Sequence, residues 1–201
     1  MQAKPSAQRG FTLLELMVTL AVAGTLAAIA VPNMRDFMRN NRLSSAANDM
    51  LRSVQVARSE AVKRQRVMAA CASSNPNADD AICSDGAFSG WIVFEDSNGN
   101  WNRDPADDSE VVIDRKTVAG GVTVRNDSTG KVSYAPNGFA TSTPGQIPTS
   151  RIVICDVRGL LAVGDNSVAR ALYIEPTGRA RTTRVQLEVS EALEDTGGTC
   201  P

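Results

Sequence analysis

The chain has 201 residues, a hydrophobic content of 42% and a formal net charge of −1. It contains no histidine, which excludes Ser-His-Asp and Cys-His catalysis and most zinc sites. The near-neutral charge gives no global field that would attract an anionic partner. The sequence also has no Walker loop, dinucleotide fingerprint or Gly-x-Ser-x-Gly motif, so we predict that the protein is not an enzyme and has no cofactor or metal.

An apolar segment lies near the N-terminus. It runs from Phe11 to Val31, which as a helix is about 31 Å long and matches a hydrocarbon core of about 30 Å. A polar leader with Lys4 and Arg9 precedes it, as in a signal sequence. Glu15 is the only ionisable side chain in the segment, and a lone acid in a membrane span costs roughly 2.5–3.5 kcal/mol. A plain signal-anchor explains the leader and the span but leaves Glu15 unexplained.

Residues 9–32, which begin Arg-Gly-Phe-Thr-Leu-Leu-Glu-Leu, resemble the class III signal of type IV pilins and pseudopilins. The resemblance implies that a prepilin peptidase cleaves between Gly10 and Phe11 and that the new amino group of Phe11 is methylated. Glu15 matches the glutamate that pairs in this family with the N-terminus of a neighbouring subunit, because opposite charges in a low-dielectric core offset each other's desolvation. Pro32 matches a proline common after the span, where it would kink the helix.

This resemblance assigns a role to each part of the N-terminal region. It predicts a leader over residues 1–10 and a transmembrane and filament-core helix over residues 11–32. The expected partners are the prepilin peptidase, other pilins in a filament, and the bacterial inner membrane, which the chain would cross once before assembly with its remaining domain in the periplasm.

Residues 33–66 are predicted to continue as an amphipathic helix. Apolar side chains recur there at three- and four-residue steps and define one face. The rest of the surface is basic, with eight Lys and Arg against three acids. The cations nearest the span are placed to meet anionic headgroups, and those from Arg52 onward are expected to be solvated. The predicted apolar face comprises Leu43, Ala46, Ala47, Met50, Leu51, Val54, Ala57, Ala61 and Val62.

Residues 67–201 are predicted to form a β-rich periplasmic domain. Eight segments of strand-like composition are separated by clusters of Gly, Pro, Asn and Asp. Such segments after an amphipathic helix predict an α+β fold in which an antiparallel sheet packs on the helix. The predicted strands are 67–72, 90–95, 110–115, 121–125, 131–135, 151–157, 170–175 and 182–189.

The loop 96–109 allows two interpretations. Its oxygen-bearing side chains alternate around Gly99, as in some calcium sites. The glycine is misplaced for an EF-hand, however, and Asn98-Gly99 between two strands is typical of a hairpin. We therefore favour a plain turn.

The four cysteines are Cys71, Cys83, Cys155 and Cys200. An even count in an exported domain favours disulfides, for which three pairings are possible. We favour Cys71 with Cys83, which closes a short polar loop, and Cys155 with Cys200, which ties the tail to a strand. Free buried thiols remain the alternative.

Three later blocks, residues 57–64, 90–94 and 174–181, resemble the GspH/FimT family of minor pilins and pseudopilins. The resemblance implies a GspH-type sheet domain and leaves several roles open. The favoured role is a minor type IV pilin that binds DNA in natural transformation, through a Gly-Arg-x-Arg motif of the FimT branch. The alternatives are a minor pseudopilin of type II secretion and a structural tip or priming subunit.

The Gly-Arg-x-Arg motif occupies residues 178–181. Arginines at positions i and i+2 of an extended segment point to the same side, and guanidinium groups bind phosphates well. We expect contact with the backbone of duplex DNA, independent of sequence. The alternative is a hairpin turn with solvated arginines, and the acidic tail with Glu188, Glu191, Glu194 and Asp195 would repel DNA. The predicted DNA-binding residues are Gly178, Arg179, Arg181 and Arg184, to which Arg151, Arg158 and Arg170 would add if their strands lie nearby.

Overall fold

A computed structural model of the chain describes residues 10–84, 89–126, 131–141, 150–196 and 199–200. The chain divides into two compact units, Met1–Arg39 and Asn40–Pro201. Of the predicted leader, residues 1–9 lie outside the described residues. Every buried side chain among the described residues belongs to the second unit, which therefore carries its own core and is expected to fold as a fragment.

A single long helix, α1, spans Leu13–Arg64 and includes Pro32. It contains an 18-residue window of mean hydropathy 2.1, none of it buried, so by length and composition it could cross a membrane. The helix ends where Gln65 adopts a φ of 55°. The predicted span and the predicted amphipathic helix are thus parts of one element.

One face of α1 packs on the strands of the second unit. The buried positions follow the predicted three- and four-residue spacing, and four of them are alanines that allow strands to approach closely. Val62 is an exception because it is exposed, and Leu51 is only partly buried. Ser53 is also buried and donates a hydrogen bond to Asp114 at 2.6 Å. The buried face comprises Leu43, Ala46, Ala47, Met50, Ser53, Val54, Ala57 and Ala61.

The described strands form two antiparallel sheets. They are β1 (Met68–Ser73), β2 (Gly90–Glu95), β3 (Val112–Thr117), β4 (Val122–Asn126), β5 (Lys131–Tyr134), β6 (Ala140–Thr141), β7 (Ser150–Asp156), β8 (Ala162–Val163), β9 (Asn166–Ile174) and β10 (Ala180–Val185). The first sheet has the order β3-β2-β1-β5-β6, and the second has the order β10-β9-β7-β4 with β8 paired to β9. Alternating side chains of both sheets meet α1, including Trp91, Val93, Ile154 and Leu172. The predicted α+β class is confirmed, although the strands form two sheets.

The last predicted strand, 182–189, is partly wrong. Strand β10 ends at Val185, and a second helix, α2, follows from Gln186 to Asp195. Val189, Ala192 and Leu193 pack on the face of the second sheet that points away from α1. The short strands β6 and β8 were also not predicted.

Two disulfides tie loops to these sheets. Cys71 in β1 bonds to Cys83, and Cys155 in β7 bonds to Cys200, as in the favoured pairing. The second bond holds Cys200 against the buried side of β7.

Candidate functional site

The start of α1 places the predicted processing and assembly residues. Gly10 and Phe11 precede the helix and are exposed. The Glu15 backbone N–H donates to the Thr12 hydroxyl at 3.2 Å, and the Thr12 N–H donates to the Glu15 carboxylate at 3.5 Å. Thr12 and Glu15 thus form a reciprocal capping box at the first turn.

The capping box gives Glu15 a role within its own chain. A carboxylate at a helix N-terminus also interacts favourably with the helix dipole. Sequence reasoning assigned Glu15 only a partner in a neighbouring subunit. The missed signal was Thr-x-x-Glu directly before an apolar run, which is typical of a helix start.

The Gly-Arg-x-Arg segment begins in the turn between β9 and β10. The Gly178 N–H donates to the Glu175 carbonyl at 2.8 Å, and Glu175 N–H donates to the Arg179 carbonyl at 2.9 Å. Gly178 has a φ of 78°, which glycine adopts without strain. Arg179 follows the turn and is exposed.

A second turn of the same kind packs beside the first. Gly138, which also has a φ of 78°, closes the Ala135-Pro136-Asn137-Gly138 turn between β5 and β6. Arg58 of α1 joins the two turns, because its Nε donates to the Gly138 carbonyl at 2.9 Å and its Nη2 to the Thr177 carbonyl at 3.0 Å. Sequence reasoning missed Arg58, and the available signal was the Pro-x-Gly pattern shared by residues 136–138 and 176–178.

Arg181 is engaged by neighbouring side chains. Its two Nη atoms each donate to one Glu188 carboxylate oxygen at 3.2 Å, and its guanidinium lies 4.6 Å from the centre of the Tyr173 ring. The bond to Glu188 raises the pKa of Arg181, and the same bond lowers the pKa of Glu188. An acid from α2 therefore compensates the charge of this predicted DNA-binding residue.

The remaining predicted arginines do not form one exposed patch. Arg184 is exposed on β10. Arg151 pairs with Asp195, and Arg158 pairs with Asp156 at 2.7 Å. Arg170 is buried. The expectation that Arg151, Arg158 and Arg170 add to one exposed patch around Arg179 is therefore corrected, because two are paired with acids and the third is buried.

The 96–110 loop uses its oxygen atoms to hold its own turns. The Asp96 carboxylate accepts hydrogen bonds from Gly99 N–H at 2.9 Å and Trp101 N–H at 3.1 Å. Glu110 is buried and accepts a bond from Asp104 N–H at 2.6 Å, and burial raises its pKa. Within the described ranges, no group of three or more His, Cys, Asp or Glu side chains is placed to hold a metal ion.

Two family models match the chain. The model described as type II transport protein GspH matches residues 46–178, which is more than half of the chain. The model described as the prokaryotic N-terminal methylation motif matches residues 5–31. The first match covers the buried face of α1 from Ala46, strands β1 to β9 and both Pro-x-Gly turns, and it ends before Arg179 and β10; the second covers the capping box.

Curated relatives match over about a fifth of the chain. The fimbrial protein EcpC of Eikenella corrodens is 49% identical over 41 residues, covering 20% of this chain and 27% of that protein. The type IV major pilin PilA of Myxococcus xanthus (strain DK1622) is 48% identical over 42 residues, covering 21% of this chain and 19% of that protein. The chain thus spans roughly a quarter of the length of these relatives. Among solved structures, the type IV minor pilin FimU of Pseudomonas aeruginosa (strain PAO1) is 22% identical, covers 75% of this chain and 94% of its own, and has a TM-score of 0.49.

Proposed function

The chain belongs to the family of the type II transport protein GspH, and from this membership we propose that it is a minor subunit of a pilin-like filament. The observation that carries the proposal is the methylation-motif match over residues 5–31, followed by the exposed apolar part of α1. In this proposal the leader is removed between Gly10 and Phe11, and the apolar helix leaves the inner membrane to pack in the filament.

Glu15 is proposed to pair with the new amino group of Phe11 in an adjoining subunit. Both charges would be desolvated in the filament core, where an unpaired acid is expensive and a paired one is tolerated. The capping box provides a second reason to keep Glu15, so an experiment must separate the charge from the cap.

We expect Glu15→Gln to reduce incorporation into filaments about tenfold or more, because it removes the charge while Gln can still close a capping box. Thr12→Ala is the matched control, since it removes the cap hydroxyl and keeps the charge. The measurement compares each variant in sheared filaments and in the membrane fraction by immunoblot. Normal incorporation of Glu15→Gln together with poor incorporation of Thr12→Ala would assign Glu15 to the cap alone.

We further propose that the filament subunit binds the backbone of duplex DNA. Arg179 supports this proposal because it is exposed directly after a rigid turn, which is itself held to α1 by Arg58. Arg184 is exposed on β10, which begins directly after Arg179. The two arginines are five residues apart, so their side chains point to opposite faces of the extended segment and Arg184 would be a separate phosphate contact. Arg181 contributes little to DNA binding as long as Glu188 compensates its charge.

We expect the double variant Arg179→Gln, Arg184→Gln to bind duplex DNA about tenfold or more weakly than the parent fragment 40–201. Loss of two phosphate contacts should also reduce the salt slope of the binding constant by about 2. Glu188→Gln should strengthen binding by roughly threefold, because it frees Arg181 and removes a negative charge. Fluorescence anisotropy with a labelled duplex in low salt measures both effects.

Two controls test the assignment of these residues. Arg42→Gln removes an arginine on the opposite flank of α1, and Glu191→Gln makes the same charge change on α2 without the bond to Arg181. If Arg42→Gln weakens binding as much as the double variant, the attraction is diffuse and the DNA site is wrong. If Glu188→Gln and Glu191→Gln increase DNA affinity equally, Arg181 does not contribute to the DNA site.

The second candidate function is a minor pseudopilin of type II secretion. Membership in the family of the type II transport protein GspH and the compensation of Arg181 by Glu188 both favour it. A strain that lacks this chain separates the two functions. Loss of DNA uptake with normal secretion supports the DNA-binding pilin, loss of secreted enzymes supports the pseudopilin, and loss of filaments altogether supports a priming role.

A further inference from the structure

Arg170 occupies a core position in β9. Strand β9 is buried on both faces, and its alternate residues Leu172 and Ile174 pack against α1 in the main core. Arg170 lies on the same side of the strand, and only 7% of its surface is exposed. A charged side chain thus stands in a row of apolar ones.

The guanidinium of Arg170 donates hydrogen bonds to neutral groups. Its Nη1 donates to the carbonyl oxygens of Val168 at 2.7 Å and Ala169 at 3.2 Å, and its Nη2 donates to the Ser44 hydroxyl at 3.3 Å. Among the described residues, no carboxylate forms an ion pair with it. Burial, and then the nearby Arg184 and Arg158, lower the pKa of Arg170 to about 10. A buried charge that is bonded but not compensated is expensive to keep.

A polar groove opens beside this guanidinium. It lies between α1 and β10 and has a volume of about 340 Å³. Hydroxyl, amide and guanidinium groups line it, and its lining contains no acid. The polar lining residues are Ser44, Asn48, Arg170, Thr182, Thr183 and Arg184.

We propose that this groove binds a phosphate group between Arg170 and Arg184. Two planar guanidinium groups present parallel donors that fit phosphate oxygens, and hydroxyl and amide groups can donate to the remaining oxygens. The bound anion supplies a counter-charge to Arg170, which forms no ion pair with a carboxylate in the described part of the chain. Arg158 is not a ligand in this site because Asp156 already pairs with it.

This site does not depend on DNA being the ligand of the chain. Arg179 lies outside the groove, so the DNA contact of Arg179 and the phosphate site can succeed or fail separately. The same chemistry fits a phosphodiester of the DNA backbone and a free phosphate. The experiment therefore uses inorganic phosphate as the probe and duplex DNA as the competitor.

The test titrates inorganic phosphate into the full chain in nonionic detergent at low ionic strength and follows the heat of binding. We expect saturable binding with a dissociation constant on the order of 1 mM. Arg184→Gln should weaken it at least about tenfold, because it removes a charged donor from an exposed position without disturbing the core. Phosphate should raise the melting temperature of the parent protein and leave that of Arg170→Met unchanged.

Arg42→Gln is the control, since it loses an arginine outside the groove and should bind phosphate as the parent does. The site is overturned if the parent shows no saturable binding at concentrations about tenfold above the expected constant. It is also overturned if Arg42→Gln weakens binding as much as Arg184→Gln, which would indicate diffuse attraction. If Arg170→Met fails to fold, the phosphate affinity of Arg184→Gln still tests the site.

Competition by duplex DNA distinguishes the two possible sources of the phosphate group. If saturating duplex DNA blocks phosphate binding, and Arg184→Gln weakens both ligands, the groove holds a backbone phosphodiester. If phosphate binds through Arg184 but DNA does not compete, the groove serves a small phosphate ligand. In that second case, a failure of Arg179→Gln to affect DNA binding would reject the DNA-binding proposal and leave the groove intact.

Discussion

Gly178→Ala is expected to destabilise the fragment 40–201 by more than about 3 kcal/mol. A residue other than glycine at its φ of 78° costs roughly 1–2 kcal/mol. In addition, the new Cβ would lie 2.1 Å from the Gly138 carbonyl oxygen, which is backbone and cannot rotate away. Because Gly138 also has a positive φ and its carbonyl accepts the bond from Arg58, relief of the clash disturbs both turns together.

Two other glycines provide matched controls for this prediction. Gly164 has a φ of 64° with open space around its Cβ position, so Gly164→Ala should lose only about 1–2 kcal/mol. Gly138→Ala should fall between the two, because its Cβ would meet the Val62 Cγ2 at 3.1 Å and Val62 is an exposed side chain that can move. Denaturant unfolding measures all three. A loss for Gly178→Ala no greater than that for Gly164→Ala would show that the two turns are not packed as described.

The paired turns also bear on the DNA-binding motif. Gly178 is predicted from sequence as part of the DNA site, and its geometry indicates that it positions Arg179 without contacting phosphate itself. Loss of DNA binding by a Gly178 variant could therefore result from loss of folding, so the binding measurement must be accompanied by an unfolding curve of the same variant. Arg179→Gln removes the charge without changing the turn and tests the contact directly.

The sequence was sufficient to predict the elements that depend on local pattern. The α1 face from Leu43 to Ala61 follows the helical period, and its buried positions match because one continuous helix keeps that spacing. Reliance on local pattern also explains why the strand predicted over residues 182–189 is partly wrong. Val185, Leu187 and Val189 alternate as in a strand, yet Val185 and Leu187 are exposed and only Val189 packs, with Ala192 and Leu193, at helical spacing.

The candidate site depends on contacts that local pattern does not specify. Arg181 and Glu188 meet because the chain changes from β10 to α2 between them, which brings the acid back over the strand. Arg170 belongs to the same run of basic residues as Arg179, but β9 is an interior strand of the second sheet and is buried on both faces. Counting charges along the sequence therefore overestimated the exposed positive surface.

Removal of the Cys155–Cys200 disulfide is expected to cost about 4 kcal/mol in the fragment 40–201, more than the roughly 3 kcal/mol expected for Cys71–Cys83. The difference follows from the sequence separations of 45 and 12 residues, because a longer closed loop restricts the unfolded chain more. Paired Cys→Ala variants and denaturant unfolding measure both losses. A larger loss for the Cys71–Cys83 pair would contradict the loop-length argument.

The two bonds should also differ in where the native structure loosens. Cys200 itself packs against the cluster that contains Val153, Val189 and Leu193. In the Cys155→Ala, Cys200→Ala variant, hydrogen exchange should therefore accelerate in α2, whereas the Cys71→Ala, Cys83→Ala variant should loosen the 74–84 loop and leave α2 protected. Because α2 carries Glu188, the first variant should also weaken the compensation of Arg181 and bind duplex DNA at least as well as the parent at low salt. Unchanged exchange in α2 would show that side-chain packing alone holds this helix and that the disulfide acts only on the unfolded chain.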